Sequence, residues 1–405
     1  MATEARDLHT GVPLWAAGPH VALPTTPLAR DARTDVLVVG AGISGALTAD
    51  LLAEAGLRVT VVDRRGPALG STLASTSLLL YALDTPLHRM ARALGEEAAL
   101  RAWRRSRLAL AALEDRIRRL GLRADVHRRS TLYLEGDLLD AGGLAAEGRA
   151  RRAAGFECAW LTAADVAARF GIAPRAALWG HGGLVADPRR LALGLLDQAA
   201  RRGARFQWPV DVVRVEPERD RVIAHTAEGP TLTARHLVWA TGYEFPDRVP
   251  AAGHRIVSTW VIATGPGTWK GPGRRALIWE ASDPYLYLRS GPGGSIIAGG
   301  EDEPFEDEDA RDALLPEKTA TLERRVTQLI PGIQSRAAHA WTASFGETAS
   351  GLPHIGAVPG SPRCYALMGY GGNGITFSMM GAQILRGLIT EEPDADTDLF
   401  AFPRE

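Results

Sequence analysis

Asp35-Val36-Leu37-Val38-Val39-Gly40-Ala41-Gly42-Ile43-Ser44-Gly45 decides how this chain is read, together with Asp63 at the end of Arg58-Val59-Thr60-Val61-Val62. A β-branched run enters a Gly-x-Gly-x-x-Gly turn and a helical pattern follows from Ile43 to Ala55. A second β-branched run then ends on an acid about 20 residues on, which is the opening βαβ unit of a parallel sheet. The first glycine permits the tight turn, the second lets backbone approach a pyrophosphate, and the third allows close helix–strand contact. The helix N-terminus adds free N–H groups and partial positive charge. Asp63 is suited to accept from two ribose hydroxyls and to repel a 2′-phosphate, so FAD or NAD is expected over NADP. Gly40, Gly42, Gly45 and Asp63 are expected at the cofactor, with Arg64 beside them.

Upstream, residues 1–34 are rich in Pro and Ala with scattered aromatics, which suits an extended arm over the body. Downstream, Gly70-Ser71-Thr72-Leu73-Ala74-Ser75-Thr76-Ser77 clusters hydroxyls suited to phosphate and flavin edge atoms, or to an ordinary turn. Val210 to Val215, Arg221 to Ala224 and Thr231 to Thr233 read as short hairpin strands, and His236 to Ala240 as a strand end before Thr241-Gly242. Near the C-terminus, Gly369-Tyr370-Gly371-Gly372-Asn373-Gly374 repeats the glycine spacing between a strand and a helix. No second βαβ unit follows it. A helix N-terminus approached by glycines stabilises negative charge, such as that of a reduced flavin near N1 and the C2 carbonyl.

The 405 residues exceed one usual core, so two lobes are expected. With 46 basic against 47 acidic residues, no bulk field draws the chain to nucleic acid or anionic lipid. Cys158 and Cys364 lie far apart, and no stretch approaches the ~20 apolar residues of a membrane helix, so a reducing cytoplasm is expected. The ten histidines show no HExxH spacing, and no metal is expected. Arg101, Arg104, Arg105, Arg107, Arg116, Arg118 and Arg119 read as a solvated helix face opposite Leu108, Leu110, Leu113, Ile117 and Leu120. Glu301 to Asp312 reads as a solvated acidic loop.

These pieces in this order resemble the D-amino acid oxidase / glycine oxidase / sarcosine oxidase superfamily of FAD-dependent oxidoreductases, from about Asp35 to Ile389. The resemblance rests on Gly40 to Asp63, the hydroxyl loop, Gly183 to Pro188, the strand with Val212, Ala240-Thr241-Gly242, Gly351 to Gly356 and Gly369 to Gly374. It implies an α/β fold: a Rossmann-like FAD-binding domain and an interleaved α+β substrate domain whose mixed sheet lies over the flavin. The expected cofactor segments are 35–90, 184–250 and 340–405, and the substrate segments 91–183 and 251–339. The resemblance further implies that Ser71, Ser75, Thr76, Val212, Ala240, Gly242 and Gly371 to Thr376 (Gly371, Gly372, Asn373, Gly374, Ile375, Thr376) meet a non-covalent FAD. It implies oxidation of a small amine or amino/imino acid by hydride transfer, with O₂ or another acceptor taking the electrons.

Where glycine oxidases place arginines before the Gly-Leu-Pro segment and in the terminal loop, this chain has Phe345 and Gly372. Arg289 is then either a substitute carboxylate anchor or a structural residue at a strand end. Lys270 and Lys318, the only lysines, fall outside the strand Ser295 to Ala298, where sarcosine-oxidase relatives carry one over the flavin. His181 and His354 flank glycine-rich segments near the expected cofactor. Tyr287 and Tyr370, with Tyr285, Trp260 and Phe345, are candidates for an aromatic wall holding an amine, or for ordinary core. Tyr287, Arg289 and Tyr370 are the candidate substrate-side residues. An NAD-dependent dehydrogenase and a non-catalytic flavin-binding protein are the alternatives.

Overall fold

The run Val36–Val39 is wholly apolar and has to be covered on both faces. In the computed structural model, which describes residues 2–18, 22–251 and 253–403, it belongs to the strand Ala32–Val39 inside an eight-stranded sheet. Val59–Val62 and Thr231–Trp239 flank it, both parallel. Arg205–Gln207 and Cys364–Met368 extend the parallel set outward, and His354–Ala357 adds an antiparallel edge. Alternation along the strand divides the core in two. Val36 and Val38 pack with the helices Ile43–Glu54, Pro188–Arg201 and Gly374–Ile389, whereas Leu37 and Val39 pack with the hairpin Val212–Pro217/Val222–Thr226.

A second, nine-stranded mixed sheet runs in the order Ala337–Thr348, His254–Thr264, Ile296–Glu303, Leu286–Ser290, Ala276–Glu280, His127–Leu134, Ala177–Val185, Leu78–Leu79, with Cys158–Leu161 also on Ala177–Val185. Only the pair His127–Leu134/Ala276–Glu280 is parallel among its pairings. Ala337–Thr348 lies mostly in a segment expected with the cofactor lobe, yet it pairs along its length with His254–Thr264. No helix among the described residues is long and apolar enough to cross a membrane.

Three local expectations are corrected. Thr231–Thr233 and His236–Trp239 form one strand, because exposed Arg235 between them simply takes the solvent side of the alternation. On the helix Glu96–Leu120, Leu108 is exposed while Arg105 and Arg116 are buried. Arg116 donates to Asp50 and Glu54 on the helix Ile43–Glu54, and Arg105 pairs with Asp394, so part of the basic face is an inter-element contact. The acidic run is not a loop: Glu301 to Glu303 finish a strand, Glu308–Ala313 is helical, and buried Glu301 pairs with Arg325.

Two histidines tie stability to pH. Burial, then nearby arginines, holds His236 down to about 4, and burial, then His354 and Arg6, does the same for His254. The unfolded chain takes up these protons near 6.5, and the folded protein resists until about 4. The stability contributed by these two histidines is therefore expected to fall as pH drops from about 6.5 to about 4. Thermal unfolding of the His236→Gln/His254→Gln variant should show a shallower decline across that window, and an unchanged slope would contradict this reading.

Candidate active site

Gly40 has φ +111°, and a Cβ there would stand 2.3 Å from the Ala240 carbonyl oxygen. At Gly45 a Cβ would stand 1.8 Å from the Gly40 carbonyl oxygen, so helix and strand touch through backbone alone. Gly42 meets only the Thr72 hydroxyl, at 3.1 Å, which leaves its surface to the adjoining cavity. Asp63 accepts from the N–H groups of Ala41 (2.7 Å), Arg65 (2.7 Å) and Gly66 (2.8 Å). Burial pushes its carboxyl up against the opposing pull of those donors. The carboxylate thus holds the turn in shape while still facing the cavity.

One continuous cavity takes in both glycine loops. Asp63, Arg64 and Val212 line one part, Gly40, Gly42, Ser71, Ser75, Thr76, Ala240 and Gly242 another, and Gly371 to Thr376 a third. The hydroxyls of Ser71 and Ser77 on this wall are buried and have no partner within the protein. Unsatisfied donors beside a glycine turn and a helix N-terminus suit the pyrophosphate and ring edge of a dinucleotide. Gly45 does not line the cavity; it sits beneath Gly40 and lets the loop close.

Tyr287 and Tyr370 both line the cavity, with Tyr285, Tyr243, Trp279 and Phe345. Burial raises the phenols of Tyr285, Tyr287 and Tyr370 far above their usual range, so they stay neutral. Tyr370 donates its hydroxyl to the Leu367 carbonyl, whereas Tyr287 stands over Gly299, where a Cβ would lie 2.4 Å from its oxygen. Trp260 lies instead in the core behind the sheet.

Arg289 does not line this space, and of its two readings its contacts fit the structural one. Its guanidinium donates to the carbonyls of Thr76 (2.7 Å), Ala186 (3.0 Å) and Ser290 (3.3 Å) and lies over the Trp15 ring. Burial, then the nearby Arg129, draws it down to about 9 against the weaker pull of Asp125 and Asp187. It ties the hydroxyl loop to the second sheet. Lys318 is likewise spent, on the Glu301 carbonyl, Glu303 and the Trp260 ring. Lys270, His181 and His354 do not line the cavity; His181 packs on Trp179 and His354 on Phe402.

Two acids were passed over in the sequence. Asp84 ends the apolar run Leu78 to Leu83, lines the cavity, and accepts from Gly372 N (2.8 Å) and Asn373 Nδ2 (3.3 Å). Asp302 stands behind Tyr285 and Thr259, and burial pushes its carboxyl up to about 7. A lone acid after an apolar run was the available signal for the first. The second was hidden in the acidic run.

The N-terminal arm also reaches the site. Thr3 and Leu8 line the cavity, and the arm is sewn to the loop after Asp63, to the hydroxyl loop and to the second sheet by Arg65 Nη2 to Arg6 O (2.6 Å), Arg6 N to Glu244 (2.8 Å), Ser344 N to Leu8 O (3.2 Å) and Trp15 Nε1 to Ser75 O (2.8 Å). Each such bond contributes about 1 kcal/mol. Removing residues 1–17 is expected to speed FAD release by roughly ten-fold or more, read by the recovery of flavin fluorescence on dilution. An unchanged release rate would show that the arm only decorates the surface.

A family model described as FAD dependent oxidoreductase, DAO, matches residues 35–388. Among curated proteins, the tRNA 5-methylaminomethyl-2-thiouridine biosynthesis bifunctional protein MnmC of Cupriavidus necator is 29% identical over 94% of this chain and 60% of its own length. The chain thus spans about three fifths of that relative. Of solved structures, glycine oxidase from Geobacillus kaustophilus superposes with a TM-score of 0.76 at 21% identity, over 92% of this chain and 99% of that one. L-proline dehydrogenase from P. horikoshii gives 0.76 at 17%, over 92% and 97%. These two establish likeness of fold. The glycine loop that begins the match and the terminal loop near its end share one cavity wall, which a lone NAD-binding unit left unexplained, and the chain belongs to the DAO family of FAD-dependent oxidoreductases, with FAD as its cofactor.

Proposed function

We propose that this flavoenzyme oxidises a small amine, or an amino- or imino-acid derivative, by hydride transfer to flavin N5, and that water hydrolyses the resulting imine. The supporting observation is the cavity that joins the dinucleotide loop to the terminal glycine loop and ends against an aromatic wall. Bound FAD supplies the hydride acceptor. Gly40, Gly42 and the start of the helix Ile43–Glu54 would hold its pyrophosphate, Val212 its adenine, and Gly371 to Thr376 its pyrimidine edge. The N-terminus of the helix Gly374–Ile389 offers partial positive charge to that edge. Tyr287 and Tyr370 would confine the amine and keep water from the reacting carbon, where orientation outweighs a strong base.

Neither Cys158 nor Cys364 lines the cavity, in keeping with a non-covalent cofactor. The two-sheet architecture supports a division into a cofactor lobe and an interleaved substrate lobe. The near-balanced charge favours a small molecule over a tRNA-borne amine of the kind the bifunctional relative's name describes. The deciding experiment is an anaerobic screen of amines, N-methyl amino acids and cyclic imino acids for bleaching of the bound flavin, followed by admission of oxygen. Bleaching by one class identifies the substrate, and the rate of recovery in air separates oxidase from dehydrogenase. A flavin-loaded protein bleached by none of them would overturn the proposal.

A further inference from the structure

The aromatic end of the cavity has Asp84 on its wall and Asp302 behind it, while the basic residues that line the cavity, Arg64 and Arg65, pair with Glu244. Asp84 lines the cavity with its side chain exposed there; one carboxylate oxygen accepts from Gly372 N and the other from Asn373 Nδ2. The Asp302 oxygens are covered and complete no hydrogen bond of good geometry, although the Tyr285 and Thr259 hydroxyls lie within reach of them. Thr259, itself on the cavity wall, has an equally unsatisfied hydroxyl. Elsewhere several buried acids are paired, Asp50 with Arg116, Glu147 with Arg151, Glu244 with Arg65 and Glu280 with Arg325, and Asp63 is met by three backbone N–H groups. Neither Asp84 nor Asp302 has an ion-pair partner among the described residues. Arg289, the cation closest in sequence to the aromatic strand, spends its donors on backbone carbonyls.

A covered carboxylate such as that of Asp302 is costly to keep without a countercharge, and Asp84 presents a second one to the cavity, so this end suits a cation. The adjoining surface fits the same ligand. Tyr285 and Tyr287, with ring centroids 5.6 Å apart, stand with Trp279 and Phe345 around the space, and aromatic faces attract ammonium groups. The geometry points to an organic ammonium ion that carries no carboxylate as the ligand of this end of the cavity, held by Asp84 and by Asp302 acting through Tyr285 and Thr259. This rests on the amine oxidation proposed above and narrows it to alkyl, aralkyl or polyamine substrates. An α-amino acid would bring its own carboxylate against Asp84 with no arginine to receive it. Asp302 is a positioning residue here, since Tyr285 and Thr259 stand between it and the ligand.

The test uses the full-length FAD-loaded protein and titrates its visible flavin band with matched ions that cannot be oxidised. Tetramethylammonium is set against acetate, and benzyltrimethylammonium against benzoate. At least one cation is expected to bind about ten-fold or more tightly than its matched anion. Asp84→Asn and Asp302→Asn should each weaken the cation by roughly ten-fold, and Tyr285→Phe should reproduce part of the Asp302→Asn effect. Neither Asn variant should weaken the anion, whereas a merely structural role would weaken both ions together. The inference is overturned if the anions bind as well as the cations, if no cation binds, or if both Asn variants keep full cation affinity. Cations that bind to a flavin no amine bleaches would sink the oxidation proposal alone. Bleaching by α-amino acids, with the anions binding preferentially, would sink only this narrowing.

Discussion

Gly45→Val is expected to yield protein that carries no flavin. A Cβ at this position lies 1.8 Å from the Gly40 carbonyl oxygen and 2.9 Å from its carbon, both backbone atoms of the loop that meets the pyrophosphate. No rotamer change relieves such a clash, so the helix Ile43–Glu54 has to lift from the strand Ala32–Val39. That displaces the helix N-terminus and the Gly40–Gly42 turn together. Overpacking of this kind costs about 3 kcal/mol or more, equivalent to a roughly hundred-fold loss of FAD affinity. The visible absorption of purified protein, followed by titration of the apoprotein with FAD, reads the effect. Wild-type affinity in a folded Gly45→Val protein would show that the loop does not hold the cofactor.

Arg116→Met should be strongly destabilising although it lies outside the cavity. Its side chain is 1% exposed and bridges Asp50, which is fully buried, to Glu54. Arg202 also reaches Asp50, from the end of the helix Pro188–Arg201, so three helices share this charge cluster. Methionine replaces the stem but leaves Asp50 short of one of its two countercharges, a loss of about 3–5 kcal/mol for a broken buried pair. Denaturant midpoints at saturating FAD keep the contribution of ligation constant. Arg118→Met, at an exposed pair with Asp115, is the control and should stay within about 0.5 kcal/mol. A loss no larger than the control's would mean that the cluster is solvated in solution.

The βαβ opening was legible because every signal in it is local. Β-branched runs, a glycine turn, a helical pattern and a strand-terminal acid sit within one stretch, and the contacts that demand the glycines are made by neighbours in that same unit or by the adjacent Ala240. The terminal glycine loop was equally visible as a strand–turn–helix. Its place on the same cavity wall was not, since nothing in either stretch states the distance between them.

The arginines and acids were harder to read. A helix with seven arginines looks solvated unless the partner acids, on another helix, are known to pack against it. Arg289 sits at a strand end, where sequence does not tell whether a guanidinium points to a cavity or back to carbonyls; Thr76 and Ala186 decide it from distant loops. Asp302 follows Gly300 and Glu301, whose φ values of +131° and +57° accompany an irregularity in pairing opposite Thr259. That break in the alternation sends Glu301 to Arg325 and Asp302 to the Tyr285 side, a reversal that a period of two does not predict.

From its sequence alone this chain was an α/β protein with a dinucleotide turn and a resemblance to FAD-dependent oxidoreductases, because backbone sterics and hydrophobic period are written in neighbouring residues. Only the tertiary structure decided which charges the cavity keeps. Arg289 turns away from it, Asp84 lines it with Asp302 behind Tyr285 and Thr259, and Thr3 and Leu8 of the N-terminal arm join its wall. Each of these depends on contacts between segments far apart in the chain, where the sign of the local field is set by the partner a side chain finds.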